Sequence, residues 1–200
     1  MTYSKADLDR LLRLRNEQPE ATDAIDAQIY QQFLQTHAVL VLDMAGFSRL
    51  TIRYSIIHFL AMVQRLASIA IPVIEQHQGQ TVKREADNLF AIFDSVTDAI
   101  DCAIAIQARL AAVNVHLPDA QDLHAGIGIG YGDVLRVGDN DLYGSEMNLA
   151  CKLGEDLARS GEILLTEAAY RQVQHEGRQW EPLTVSISGL DLITYKLQVG

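Results

Sequence analysis

Asp43 ends an apolar, β-branched run, Ala38–Asp43, and Asp87 sits at a tight reversal between two further runs, Gln80–Glu85 and Asn88–Phe93. Each carboxylate is therefore expected where a strand end meets solvent, on segments that can be neighbours in one sheet. Two carboxylates so placed can bridge two divalent ions about 3.5–4 Å apart, an arrangement that serves in-line phosphoryl chemistry. Magnesium suits such oxygen ligands and completes its shell with phosphates and water. The turn after Asp43 (Met44, Ala45, Gly46, Phe47, Ser48) offers successive backbone N–H groups with a glycine at the bend. Such a turn can cradle phosphate without a basic side chain. Alone, either aspartate is an ordinary turn residue; the pair and its surroundings carry the chemistry.

The elements that must position these residues follow from periodicity. A long helix is expected over about Arg53 to Gln76, stopped near Gly79, and a second over about Ser95 to Val113. Ser95 opens the second with Asp98 three residues on, a capping-box-like start. Leu123 to Gly130 and Asp133 to Val137 read as a further strand pair. Isoleucines alternate with glycines in Ala125–Gly130, leaving one face nearly bare, where a ligand, another backbone or a tightly packed helix can approach. Ser145 to about Ala158 reads as a helix, and Glu162–Leu165 as a strand. Thr166 caps a short helix, and Leu183–Ile187 and Leu192–Leu197 close the fold. Strands joined by tight turns must pair antiparallel. The expected fold class is therefore α+β: a ferredoxin-like core with helices packed on a mostly antiparallel sheet.

Residues 1–35 have a different character. Leu8, Leu11, Leu12 and Leu14 sit among charges, Pro19 breaks the pattern, and a second polar helix runs from about Thr22 to Leu34. This predicts an N-terminal helical extension ahead of a domain over 36–200. The extension is either a loosely attached tail or an arm for dimerisation or input.

The 200-residue chain is 48% apolar and 21% charged, which suits one globular domain. Its net charge of −10 would repel nucleic-acid phosphates and anionic membranes, so neither is an expected partner. Cys102 and Cys151 lack metal-ligand spacing and read as buried thiols in a reducing compartment. No basic segment leads into an apolar run at the N-terminus, and Ile56–Ile74 is interrupted by His58, Gln64, Arg65 and Pro72. That stretch reads as a buried helix rather than a membrane span, and a cytoplasmic location is expected.

Taken in order, these segments resemble class III adenylate and guanylate cyclase catalytic domains. Leu42–Leu50 resembles the first-metal motif, in which an Asp precedes Gly-Phe-Ser/Thr by two or three residues. Val82–Asp87 resembles the Lys-x-x-Gly-Asp element, with Ala86 in place of glycine. Asp141–Ala150 resembles the Asp-hydrophobe-aromatic-Gly-x-x-Val-Asn-x-Ala segment, and Gly126–Val134 the family's strand and turn. The matches are collinear from about Ala38 to Tyr195.

The resemblance implies a nucleotidyl cyclase that turns ATP into cyclic AMP and pyrophosphate. Asp43 and Asp87, with the Met44 carbonyl, would hold two Mg²⁺ or Mn²⁺ ions. Ala45, Gly46 and Phe47 would contact the phosphates. Lys83 and Asp141 would read the base, a pairing that goes with adenine in the family. Asn148 would orient the ribose. Family members are head-to-tail dimers with sites between chains, so a homodimer is implied, with a separate regulatory protein as a further possible partner. The chain also departs from the pattern. Lys152 stands where the family has a transition-state arginine, and Val185–Gly189 lacks the basic residue the family often has there. Lys152 shares a helix face with Asn148 but lacks the bidentate fork of arginine. The alternative reading is a weak or inactive cyclase-like module that binds nucleotide and regulates a partner.

Overall fold

Ser4 accepts a hydrogen bond from the Asp7 amide while the Asp7 carboxylate accepts one from the Ser4 N–H, a capping box that opens helix α1 (Lys5–Glu17). A short turn over Pro19–Ala21 leads to α2 (Thr22–Phe33), which runs directly into strand β1 (Leu34–Met44). The chain continues as α3 (Ile56–Gln76), β2 (Gln80–Glu85), β3 (Asn88–Phe93), α4 (Val96–Asn114), β4 (Ala125–Val137) and β5 (Asp141–Tyr143). Helix α5 (Ser145–Cys151) passes into a π-helical segment, Lys152–Leu157, followed by β6 (Ile163–Thr166), α6 (Glu167–Val173), β7 (Trp180–Ile187) and β8 (Leu190–Leu197). The computed structural model describes residues 3–45, 55–118, 121–187 and 189–198.

The strands lie in the order β2-β3-β1-β4-β6-β8-β7, with β5 folded onto the end of β4. Among the described residues only β4 and β6 pair parallel; the other pairs are antiparallel. The first four strands, with α3 and α4 as crossovers, form the expected ferredoxin-like unit. One sheet face carries Leu40, Leu42, Ile127, Ile129 and Leu165 and is covered by α3, α4 and α6. The other carries Val39, Val41, Phe90 and Ile92 and is covered by Leu142 of β5 and by Met147 and Ala150 of α5. Helix α3 is long and apolar enough to cross a membrane by composition alone. Here it turns Phe59, Met62, Leu66, Ala70 and Val73 into the core.

Two expectations change and one open alternative is settled. The strand pair placed over Leu123–Gly130 and Asp133–Val137 is one continuous strand, β4. Gly130, Tyr131 and Gly132 resemble a turn, but β1 is long enough to pair with them as Val39, Ala38 and His37. The bare glycine face is occupied by the helix, not by a ligand: a Cβ on Gly126 would lie 2.6 Å from Ala158 O, and one on Gly130 2.7 Å from Glu146 O. The helix expected to Ala158 changes to π geometry at Lys152, where Gly154 presses against β1 so closely that a Cβ would meet Val41 O at 2.8 Å.

Helices α1 and α2 dock on the end of β4. Leu8, Leu11, Ile25, Ile29 and Phe33 form a separate core with Val137 of β4. Tyr3 O accepts from Gly138 N–H at 2.8 Å, and Arg15 pairs with Asp26 across the two helices.

Candidate active site

Strand register brings the two aspartates together. Leu42 of β1 faces Leu89 of β3, so one step on Asp43 reaches the level of Asn88, with Asp87 beside it in the turn. Asp43 is half-buried, and among the described residues its carboxylate accepts no hydrogen bond. Burial, then the negative charges of Asp87, Glu155 and Asp156, push its carboxyl up to about 7. Burial also raises Asp87. Glu155, raised by burial and by Asp156, comes from the π-helical segment and accepts from Asn88 Nδ2 at 3.0 Å. A half-buried carboxylate held among negative charges is suited to a divalent cation. Among the described residues no three acidic, cysteine or histidine side chains form a metal cage, so phosphates and water would have to complete the coordination.

The turn between β2 and β3 is strained. Ala86 has φ 51°, in the left-handed region where the sequence resemblance has glycine. Ala86→Gly is expected to raise stability by about 1 kcal/mol, read as a shift in the urea midpoint at unchanged m-value.

The phosphate turn is only partly visible. Gly46 and Phe47 lie outside the described residues. Ala45 N–H already donates to His124 O at 2.8 Å, extending the β1–β4 ladder, so it is not a free donor for phosphate.

A second group forms on the sheet face that carries Phe90. A bulge between Thr81 and Lys83 in the β2–β3 pairing re-aims the strand. Val82 enters the core against Phe90, and the Lys83 ammonium lies 4.9 Å from the Phe90 ring centre. Lys83 Nζ donates to Asp141 Oδ1 at 3.0 Å and pairs with Glu85 at 3.3 Å. Asp141 also accepts from Leu142 N–H at 3.0 Å and from the Tyr143 hydroxyl at 2.7 Å. Burial opposes charge at both Lys83 and Asp141. Their pairing outweighs it, raising the lysine and, with the Tyr143 hydroxyl, lowering the aspartate.

Asn148 and Lys152 stand on the outer face of the helix because Met147, Ala150 and Leu153 take the sheet side. Asn148 is exposed. Lys152 Nζ donates to Asp156 Oδ2 at 2.7 Å. Among the described residues no hydrogen bond or ion pair links the Lys83–Asp141 group to Asp43 or Asp87. Glu155 feels the charges of both Glu85, which pairs with Lys83, and Asp87.

Residues 29–198 match the model of the family described as adenylate and guanylate cyclase catalytic domain. The chain belongs to this family. The cyclase domain is 32% identical over 136 residues to the Rhizobium meliloti (strain 1021) protein named "Putative adenylate cyclase 3". It is 29% identical over 134 residues to the serine/threonine-protein kinase pkn2 of Myxococcus xanthus. These alignments take in 68% and 67% of the chain but only 23% and 16% of the relatives' own lengths. In fold, the domain is similar to an adenylate/guanylate cyclase/hydrolase from Silicibacter pomeroyi, with TM-score 0.71 and 25% identity, covering 84% of this chain and 98% of that one.

Sequence reasoning missed Tyr143 and Glu155 as members of these groups. Tyr143 was findable, since it stands two residues after Asp141 in an extended segment and so shares its face. Glu155 had no comparable signal, because the π-helical turn re-phases the residues after Cys151.

Proposed function

We propose that this cyclase domain converts ATP to cyclic AMP and pyrophosphate, at sites shared between two copies of the chain in a cytoplasmic homodimer. The observation that carries this reading is the Lys83–Asp141 contact: residues far apart in sequence meet at 3.0 Å as a donor beside an acceptor. The adenine edge offers the complement, a ring-nitrogen acceptor beside an exocyclic amine donor. Lys83 donates to the ring nitrogen and Asp141 accepts from the amine. The family resemblance supports a site completed by a second copy.

Asp43 and Asp87, with the Met44 carbonyl, would hold two Mg²⁺ or Mn²⁺ ions. The chemistry supplied by ions held there would be charge neutralisation at the developing 3′-alkoxide and the leaving pyrophosphate oxygen. Gly46 and Phe47 would contact the phosphates, as the family resemblance implies. Asn148 orients the ribose so that its 3′-oxygen faces the α-phosphorus. The 3′-oxygen bonds to that phosphorus, the bond to the β-phosphate bridging oxygen breaks, and the 3′-hydroxyl proton leaves to solvent. Lys152 supplies positive charge to the α-phosphate as negative charge builds there.

A second reading rests on Lys152 itself. Its ammonium is engaged by Asp156, and Val185–Gly189 contains no basic residue. A chain so equipped would bind triphosphate with little turnover and act on a partner.

Product analysis separates the two. The purified chain is incubated with each of the four ribonucleoside triphosphates and Mg²⁺ or Mn²⁺, and the products are separated by chromatography. Cyclic AMP from ATP is the expected result. A cyclic product from another base overturns the adenine assignment. Triphosphate binding without product establishes the second reading.

A further inference from the structure

The Lys83–Asp141 pair is only part of a larger unit. Asp141 Oδ1 accepts from Lys83 Nζ and from Leu142 N–H, both at 3.0 Å. Its second oxygen, Oδ2, accepts from the Tyr143 hydroxyl at 2.7 Å. A carboxylate turns easily about its terminal sp³–sp² torsion, which is broad and roughly two-fold. Donors on both oxygens remove that freedom. The inventory of remaining sites is then definite. The Lys83 ammonium has three N–H donors, and its contacts with Asp141 and Glu85 leave one for a ligand. Lys83 and Leu142 fill the two lone-pair sites of Asp141 Oδ1, and Tyr143 takes one of the two on Oδ2, so one acceptor site remains, on Oδ2 beside the tyrosine hydroxyl.

We propose that Tyr143 is a positioning residue for base discrimination, its hydroxyl anchoring Asp141 so that the aspartate and Lys83 present one fixed acceptor–donor pair to the nucleotide base. This rests on the reading of Lys83 and Asp141 as base readers and adds to it the residue that makes them a preformed pair. Preorganisation lowers the ordering cost of binding and sharpens rejection of bases whose edge does not match. The phenyl ring is not what matters. Tyr143 is 43% exposed, and its ring belongs to no core cluster among the described residues.

The test is Tyr143→Phe, which removes one oxygen and keeps the ring. Steady-state cyclisation of ATP and GTP is measured for both proteins, with thermal midpoints alongside. Losing one hydrogen bond to a charged acceptor is expected to raise KM for ATP by about threefold to tenfold. The ATP-over-GTP ratio of kcat/KM should fall by a similar factor, while kcat changes by less than about twofold and the thermal midpoint holds. A merely structural tyrosine would shift the midpoint and leave the ratio alone. An unchanged KM and ratio, or tighter ATP use, overturns the proposal. Equilibrium binding of α,β-methylene ATP and its GTP counterpart is measured in parallel. If the parent chain prefers the ATP analogue without turning over, the cyclase reading fails while Tyr143→Phe still reports on discrimination. If the parent chain binds both analogues equally or neither, the base-reader assignment falls and this inference with it.

Discussion

Asp43→Asn is expected to abolish cyclisation while making the metal-free protein more stable. The first effect follows from the proposed role: losing one of two carboxylates on the ions should lower kcat by about a thousandfold or more. The second follows from the raised carboxyl. Its folded value of about 7 exceeds the ordinary aspartate value of 3.8. The folded state therefore holds the proton more tightly, and this contribution to stability is full below about 3.8 and lost as the pH rises through about 7. At pH 8 without divalent ions the wild-type fold carries the cost of an uncompensated carboxylate, about 1–2 kcal/mol once partial exposure and solvent screening are discounted. Asparagine removes the charge. The variant should melt about 2–8 °C above wild type at pH 8, and by less at pH 5. Added Mg²⁺ should close the gap by stabilising only the wild type. Scanning calorimetry at the two pH values, with and without Mg²⁺, measures this. A variant that loses stability at pH 8 would show that Asp43 is a structural residue, and a variant that retains full activity would show that it is no metal ligand.

Gly128→Ala is expected to be the most damaging single methyl in the fold. The added Cβ would fall on Ala150 O and stand 2.6 Å from Gly154 N and 2.9 Å from the Leu153 Cβ. The first two of these are backbone atoms, so no rotamer change relieves the clash. Helix α5 and the π-helical segment must lift from β4. The cost is about 3 kcal/mol, the upper end of overpacking effects, or a drop of about 6–12 °C in thermal midpoint. Asn148 and Lys152 ride on the displaced helix, so kcat should fall as well, even under conditions where the protein is fully folded. Gly161→Ala is the comparison, since Gly161 has open space around its Cβ and differs only in its left-handed backbone, φ 81°. Left-handed strain alone costs Gly161→Ala about 1 kcal/mol, and a Gly128→Ala cost no larger than this would show that helix packing on β4 is not the source of the loss.

Much of this protein was legible before any coordinates. Alternating and β-branched runs marked β1, β2 and β3, and Ser95 and Thr166 marked helix starts that both cap as expected. The two-residue reversal at Ala86 and Asp87 forced antiparallel pairing of β2 and β3, because so short a connection allows no crossover. Ordered motifs along one chain pointed to the family. These are local or collinear properties, and local geometry and chain order determine them.

What the tertiary structure decided depends on residues distant in sequence. Gly130 and Gly132 remain in a strand because β1 extends far enough to pair with them, and no window around the glycines contains that information. Ala45 loses its free N–H to His124, across the sheet rather than along the chain. The Lys83–Asp141 contact requires the β5 hairpin to fold back over the face that the bulged strand presents, so that Leu142 seats among Val82 and Phe90. The glycine face of β4 was open to either a ligand or a helix on composition. Close packing settled it, because only the missing side chains let α5 approach the sheet to backbone contact distance. The sequence by itself determined which groups carry charge and which segments are strands or helices. The tertiary structure decided which charges meet, because long-range pairing and packing set those distances.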